Sequence, residues 1–311
     1  MAPLACGSAG GQLERVNIPS GSPFAAVVDS LATHGLVRSR ALITLLGRLS
    51  GSDRRVKAGL YEFRRGTSLV TILGALRNGD FVEVSVTVPE GFTIVDIARL
   101  AEERLLIPRE SVLTAARDTT WLATLGVEGP SAEGFLFPET YLFSGPVSAR
   151  DLLGEMIEQF KQSWDPRWDS VLVLTHRSRL EVLTLASIVE GEARSDGERP
   201  VIAGVYSNRL RIGMALQADP TVQYAIQLAT GERKPRLYEK DYLVPSPYNT
   251  YLHPGLPPGP VGSPGRKSIE AALLPEKVPY LYFVADGSGG HQFSRSYEEH
   301  LRMVRRTRPD R

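Results

Sequence analysis

Between residues 15 and 107 the spacing of apolar positions switches repeatedly between alternation and helical periodicity, which predicts short strands interleaved with amphipathic helices. RVNIP (15–19) alternates as a strand, and GSPFAAVVDSLATHGL follows as a helix with Ser20 or Ser22 placed to cap it. SRALITLLGRLSG reads as a second helix stopped by Gly51, because glycine adopts the left-handed conformation that ends a helix. VKAGLYEFRRG is a strand running into a turn, and SLVTILGALRNGD is a third helix starting at Ser68. A second unit opens with Val82, Val84, Val86 and Val88 alternating along a strand. A Pro-Glu-Gly turn then leads into an amphipathic helix that ends near residue 107. The two openings share one scheme of strand, proline, small turn and helix, which fits either an internal duplication or turn chemistry reached twice.

Residues 108–145 give no clear period and end in the aromatic FLFPETYLF (135–143). Helices are predicted over 151–164, over the apolar stretch that leads to Glu190, and over 199–213 with Gly213 closing the last. Residues 244–265 are rich in Pro, Gly and Tyr and predict a loop too aromatic to be a plain linker. A helix, SIEAALLP, and a strand at 280–286 follow, then GSGGHQFS. This order predicts an α+β protein: a tail at 1–14, tandem small α/β modules at 15–81 and 82–147, and a mixed α/β domain over 148–311. Residues 7–15 read as disordered, and the basic end RMVRRTRPDR (302–311) as a frayed, solvated terminus.

Composition narrows the function by exclusion. Thirty-six basic residues against 35 acidic ones leave a net charge of +1, without the basic surplus that phosphate neutralisation needs, so nucleic acid is not an expected partner. One cysteine, Cys6, allows no intrachain disulfide and no thiolate cluster, and the five histidines show no metal-ligand spacing. GxSxG, P-loop and dinucleotide-binding patterns are missing, so neither a metal nor a cofactor is expected. No run of 18 apolar residues is present to span a membrane.

Candidate chemistry concentrates in 183–224. The nearly all-apolar stretch Val182–Val189 runs straight into Glu190, so the carboxyl group is expected to lose much of its water. Desolvation disfavours the charged form, and a carboxyl that keeps its proton near neutrality is a general acid. For a helix-end glutamate alone, pointing into water is the commoner case. Around it in sequence lie Glu192, Arg194, Ser195, Glu198, Arg199, Asn208 and Arg209, then Gln217, Asp219, Thr221 and Tyr224. Asp219 before Pro220 is also a natural N-cap, and that reading is favoured for it. Tyr248, Asn249, Thr250 and Tyr251 add two rings and two hydrogen-bonding side chains. Rings, amides and one protonated carboxyl suit a carbohydrate, which stacks on aromatics and bonds through its hydroxyls. His291, in a glycine-rich setting, either lines such a cleft or stabilises its own loop. A glycosidase normally sets two carboxylates across the bond. Glu192 falls on another helix face from Glu190 and Asp219 is the only other nearby candidate, so a single-acid transglycosylation fits better than hydrolysis.

LASIVEGEARSDGERPVIAGVYSNRLRIGMALQADPTVQYAI, PYNTYLHPGLPPGPVGSPGRKSIEAALLP and PYLYFVADGSGGHQFS together resemble the endolytic murein transglycosylase family, the YceG-like proteins. IPSGSPFAAVVDSL, AGLYEF, VPEGFTIVDIA and FLFPETY extend the resemblance over residues 15–300. The resemblance implies a lyase that cuts nascent peptidoglycan strands internally, between N-acetylmuramic acid and N-acetylglucosamine, and leaves 1,6-anhydro ends. It implies that Glu190 is the catalytic acid. Read with the polar and aromatic residues around it, Asn208, Arg209, Gln217, Asp219, Thr221, Tyr224, Tyr248, Asn249, Thr250 and Tyr251 are expected to line the glycan site, within a catalytic domain over 148–311. It also implies that the second N-terminal module is LysM-like. Expected partners are glycan strands and the peptidoglycan synthases of the elongation machinery, at the extracytoplasmic face of the membrane. The usual N-terminal membrane helix is not in this sequence, so a trimmed start, an internal start or lipidation at Cys6 is expected to account for the anchor. The chain departs from the family pattern at Gly191, Ala193 and Ser263, and Glu190 is retained. A non-catalytic peptidoglycan-binding scaffold and a muramidase-type hydrolase using Glu190 with Asp219 are the alternatives.

Overall fold

Ladder pairing of two short alternating strands begins the fold. In the computed structural model, which describes residues 12–307, β1 (Leu13–Ile18) pairs antiparallel with β2 (Gly59–Arg64), Leu13 opposite Arg64 and Ile18 opposite Gly59. Between them run α1 (Phe24–Thr33) and α2 (Arg40–Ser50), and α3 (Leu69–Asn78) follows. Period and packing agree here: Val16, Ile18, Leu31, Ile43, Tyr61 and Ile72 meet in one apolar core. Gly51 closes α2 at φ 66°, and the Ser68 hydroxyl accepts from Thr71 N–H at 3.1 Å to open α3, as the sequence predicts. The predicted cap of α1 fails. Pro23 occupies the cap position, and the Ser22 hydroxyl donates instead to the Pro19 carbonyl at 2.8 Å.

The chain continues through β3 (Glu83–Thr87), α4 (Ile94–Leu105), α5 (Arg109–Ala115), α6 (Thr119–Thr124) and β4 (Thr140–Ser144), and β3 pairs with β4. Next come α7 (Ala149–Ser163), α8 (Pro166–Thr175), α9 (Arg179–Glu192), α10 (Arg199–Arg211), α11 (Asp219–Thr230) and α12 (Arg266–Leu273). An antiparallel pair, β5 (Tyr282–Ala285) and β6 (His291–Ser294), precedes α13 (Tyr297–Thr307). The protein is therefore α+β, with small two-stranded sheets among many helices. Residues 13–15 belong to β1 and 302–307 to α13, so neither terminus is irregular throughout as expected; ladder bonds and helical bonds overrode the polar composition. Residues 7–11, 308–311 and Cys6 lie outside the described residues. Among the described residues no helix is long and apolar enough to cross a membrane.

The chain divides into two compact units. One runs to Val86 and includes Leu100–Pro108 and Thr140–Ala149; the other comprises Thr87–Arg99, Arg109–Glu139 and the chain from Arg150 onward. The three-part division at 81 and 147 does not coincide with these units. Residues 82–86, 100–108 and 140–147 fall in the first unit and 87–99 and 109–139 in the second, so 82–147 is divided between them.

In the larger unit α9 is the central element. Its start is fixed by a capping box: the Ser178 hydroxyl accepts from Glu181 N–H at 3.1 Å, and the Glu181 carboxylate accepts from Ser178 N–H at 2.7 Å. Every residue from Val182 to Val189 is buried, so the helix is covered all round by α10, α11 and α12. Each fully buried Val, Leu or Ile there contributes ~1.5–3 kcal/mol by leaving water. The two polar residues of the stretch are satisfied internally, Thr184 on Leu180 O at 2.7 Å and Ser187 on Thr184 O at 2.8 Å.

A buried carboxyl helps to frame the same unit. Glu133 accepts from Ile94 N–H at 3.2 Å and from the Tyr224 hydroxyl at 3.0 Å, and burial pushes its pKa up to about 8. Because the folded value lies above the ordinary 4.5, the folded state holds a proton that the unfolded chain has already released. The resulting stabilisation is complete below about 4.5 and is lost as pH rises through about 8. Thermal melts should therefore show Glu133→Gln gaining on the wild type between pH 5 and pH 8, by on the order of a few kcal/mol. Parallel pH profiles for the two proteins would contradict this assignment.

Candidate functional site

Helix α9 ends in Glu190 and Glu192, and its C-cap residue Ala193 turns into extended backbone. The Glu190 side chain is only 8% exposed, in keeping with the desolvation expected from the apolar run before it. Arg199 Nη2 donates to its Oε1 at 2.8 Å and Gly265 N–H donates to its Oε2 at 2.9 Å. Arg199 opens α10 and Gly265 is the N-cap of α12, so the Glu190 side chain is held between the starts of two helices. The guanidinium is itself held elsewhere: Nε donates to Ser268 Oγ at 2.9 Å and Nη1 donates to Asp196, which also takes Lys267.

Glu90 is the second acid on this guanidinium, with Oε2 3.7 Å from Arg199 Nη2. It sits in the Pro-Glu-Gly turn before α4. That turn is stitched to the Gly-rich loop by Gly91 N–H to Ser263 O and Ser263 N–H to Phe92 O, both 2.7 Å. The Glu90 carboxyl packs against the bare Cα of Gly265, where a Cβ would lie 1.8 Å from Glu90 Oε1 and would displace it. Burial and the neighbouring Glu190 push the Glu90 carboxyl up, and Arg199 partly offsets them. Sequence reasoning missed Glu90, Gly265 and Ser268. The Pro-Glu-Gly segment read as a turn, and nothing in local spacing ties it to a helix a hundred residues away.

A second network joins the LQADPT and YNTY segments behind Gly191. Gly191 packs against Pro220, where a Cβ would lie 2.6 Å from the ring. The Tyr206 hydroxyl donates to Glu192 at 3.0 Å, and Tyr251 donates to Asp219 at 2.7 Å. Burial first, then Asp219, pushes the Glu192 pKa up to about 7. The predicted cap role of Asp219 is not realised. Ala218 is the N-cap of α11 and Asp219 its first residue; the Asp219 carboxylate accepts from Tyr251 instead, while the Asp219 N–H donates to the Glu192 carboxylate. Thr221 and Thr250 bond each other at 2.9 Å, and Asn249 Nδ2 ties to the carbonyls of Tyr242 and Val244 at 2.9 Å.

The predicted binding residues thus divide. Asn208 donates to Val278 O and Tyr280 O, Arg209 to Leu281 O and Leu216 O, and Tyr224 to Glu133, so these groups are engaged within the fold along with Thr221, Asn249 and Thr250. Gln217 is exposed and held at φ 47°, a left-handed conformation uncommon outside glycine. Tyr248 and Tyr251 are half-buried, Tyr248 edge-on to Tyr224 with ring centres 4.9 Å apart. Both oxygens of Glu190 are taken by residues outside this set. His291 stabilises its own loop: its N–H donates to Glu198 at 2.6 Å and its ring lies 3.1 Å from the same carboxylate. A cavity of about 600 Å³ adjoins the Glu190 cluster through Asp196 and Lys267, and Trp168 and Arg266 stack in its wall at 5.0 Å.

Comparison with known proteins gives this arrangement its relatives. The model of the YceG-like family matches residues 16–306. A Bacillus subtilis protein described as an endolytic murein transglycosylase is 34% identical over 301 residues, covering 92% of this chain and 82% of that protein. A Streptococcus pneumoniae protein of the same description is 29% identical over 93% of this chain, which spans 57% of its length. A crystal structure of a yceG-like protein from Listeria monocytogenes matches with TM-score 0.64 and 32% identity over 93% of this chain and 98% of that one. A motif set that runs from the N-terminal strand to the final helix, on a fold shared with that crystal structure, places this chain in the YceG-like family.

Proposed function

We propose that the protein is an endolytic peptidoglycan transglycosylase and that Glu190 is its acid and then its base. The observation that carries this reading is a carboxyl at the end of a wholly buried helix, 8% exposed and aligned by one guanidinium and one backbone N–H. In the first step Glu190 gives a proton to the glycosidic oxygen between N-acetylmuramic acid and N-acetylglucosamine, and the bond from the muramic C1 to that oxygen breaks. The muramic 6-hydroxyl then attacks C1, and its proton passes to the Glu190 carboxylate. The acid is restored, a 1,6-anhydro end is left, and no water enters. Positioned proton transfer of this kind contributes about 10²–10⁴-fold to rate.

The adjoining cavity has a volume ordinary for a ligand site and offers ring and charged surfaces to a glycan. Gln217, strained and exposed, and the half-buried rings of Tyr248 and Tyr251 are the binding residues this reading favours, since strain at an exposed residue accords with a functional site. The remaining predicted binding residues shape the site from behind. The module over 82–147 is taken as LysM-like and glycan-binding, and residues 148–311 as the catalytic portion. The enzyme would act on nascent strands at the extracytoplasmic face of the membrane, beside the synthases, and so terminate elongation. Relatives described as endolytic murein transglycosylases support the reaction class.

Digestion of purified peptidoglycan with Glu190→Gln should release anhydro-muramoyl products at least about 100-fold more slowly than the wild type, by mass spectrometry. Undiminished turnover would overturn the role of Glu190, and binding to sacculi without any turnover by the wild type would favour a scaffold. Gln217→Ala should raise KM about tenfold at nearly unchanged kcat, the mark of lost ground-state binding. A fall in kcat alone would remove Gln217 from the binding residues.

A further inference from the structure

Arg199 presents one contested donor. Its Nε is committed to Ser268 and its Nη1 to Asp196, while Nη2 faces Glu190 at 2.8 Å and Glu90 at 3.7 Å. The shorter distance is a hydrogen bond and the longer one is not, although it is within ion-pair reach. Gly265 is shared in the same way: its N–H holds Glu190 Oε2, and its bare Cα leaves room for Glu90 Oε1. Two carboxyls from distant parts of the sequence thus straddle one guanidinium and one glycine. Glu90 is half exposed, at 50%, whereas Glu190 is nearly covered, so Glu90 has the freedom to approach Nη2 by rotation of its own side chain. Its backbone has no such freedom, being pinned by the pair of 2.7 Å bonds to Ser263 and by Arg233 on Gly91 O at 3.2 Å.

We infer that Glu90 is a positioning residue for glycan cleavage: by taking Arg199 Nη2 it frees Glu190 Oε1 to carry the proton that the glycosidic oxygen receives. The inference rests on Glu190 being the acid. The charged groups acting on Glu90 are Glu190 at the end of α9, Arg199 on α10, Asp196 in the turn before it and Lys267 on α12. Asp196 and Lys267 neutralise each other, which leaves the two glutamates and one arginine to share a single positive charge. Two like charges this close favour one retained proton. Without a charge at Glu90, Arg199 Nη2 has no second carboxylate to meet and stays wholly on Glu190.

The test is the pH dependence of kcat on peptidoglycan strands for the wild type, Glu90→Gln, Glu90→Asp and Gly265→Ala, with melting curves for each. Glu90→Gln should move the alkaline limb of kcat to lower pH by about one unit, with up to a roughly tenfold loss on that limb and KM within about twofold. Glu90→Asp should recover part of the shift, because it restores the charge. Gly265→Ala, which displaces the Glu90 carboxyl but leaves its charge intact, should shift the limb in the same direction and gives the answer should Glu90→Gln fold poorly. A wild-type limb in folded Glu90→Gln, with only the melting temperature lowered, would reduce Glu90 to a turn residue and overturn the inference while Glu190 keeps its role. An active Glu190→Gln would instead overturn the underlying assignment.

Discussion

Arg199 and Glu190 meet at 2.8 Å with both side chains at most a tenth exposed. Removing two charges from water costs several kcal/mol per ion, offset only where the geometry is good and the remaining donors and acceptors are matched. Here they are matched: Ser268 and Asp196 complete the guanidinium, and Gly265 N–H completes the carboxylate. The pair therefore fixes more than itself. It ties the end of α9 to the start of α10 and the start of α12, and it requires the glycine-rich loop to run close to the Pro-Glu-Gly turn. The close approach of Gly265 to Glu90 belongs to that packing.

A carboxylate held this firmly is aligned for one direction of attack, and alignment is a large part of catalysis. The second network, of Glu192, Tyr206, Asp219 and Tyr251, lies behind the first and works differently. Its hydroxyls and carboxyls satisfy each other inside the protein, which rigidifies the LQADPT and YNTY segments rather than offering free groups to a ligand. Of the same segments, Gln217 stays exposed and the rings of Tyr248 and Tyr251 stay half-buried.

The local signals in the sequence were strong where period and chemistry agreed. Val182–Val189 announced a buried helix ending in a desolvated acid, Ser68 and Gly51 marked helix ends, and the alternating valines marked β3. The same signals failed where tertiary contacts decided. Asp219 had the residue type of a cap but found a tyrosine hydroxyl 32 positions later. Asn249 and Thr250 had the polarity of ligand contacts but closed backbone and hydroxyl bonds of their own. Glu90 was readable as part of a turn, but its pairing with Arg199 was not, because that contact is non-local and the turn docks on Ser263. Helix α8 was legible in hindsight: Pro166 stands at its first turn, and Asp165 caps it by accepting from Arg167 N–H at 2.9 Å.

The central claim is that the bond is broken by one carboxyl and the substrate's own hydroxyl, without water. Digestion of peptidoglycan in oxygen-18-labelled water, with mass spectrometry of the new muramic ends, tests this most directly. The account predicts anhydro ends that carry no label; labelled reducing ends would contradict it and make the protein a hydrolase.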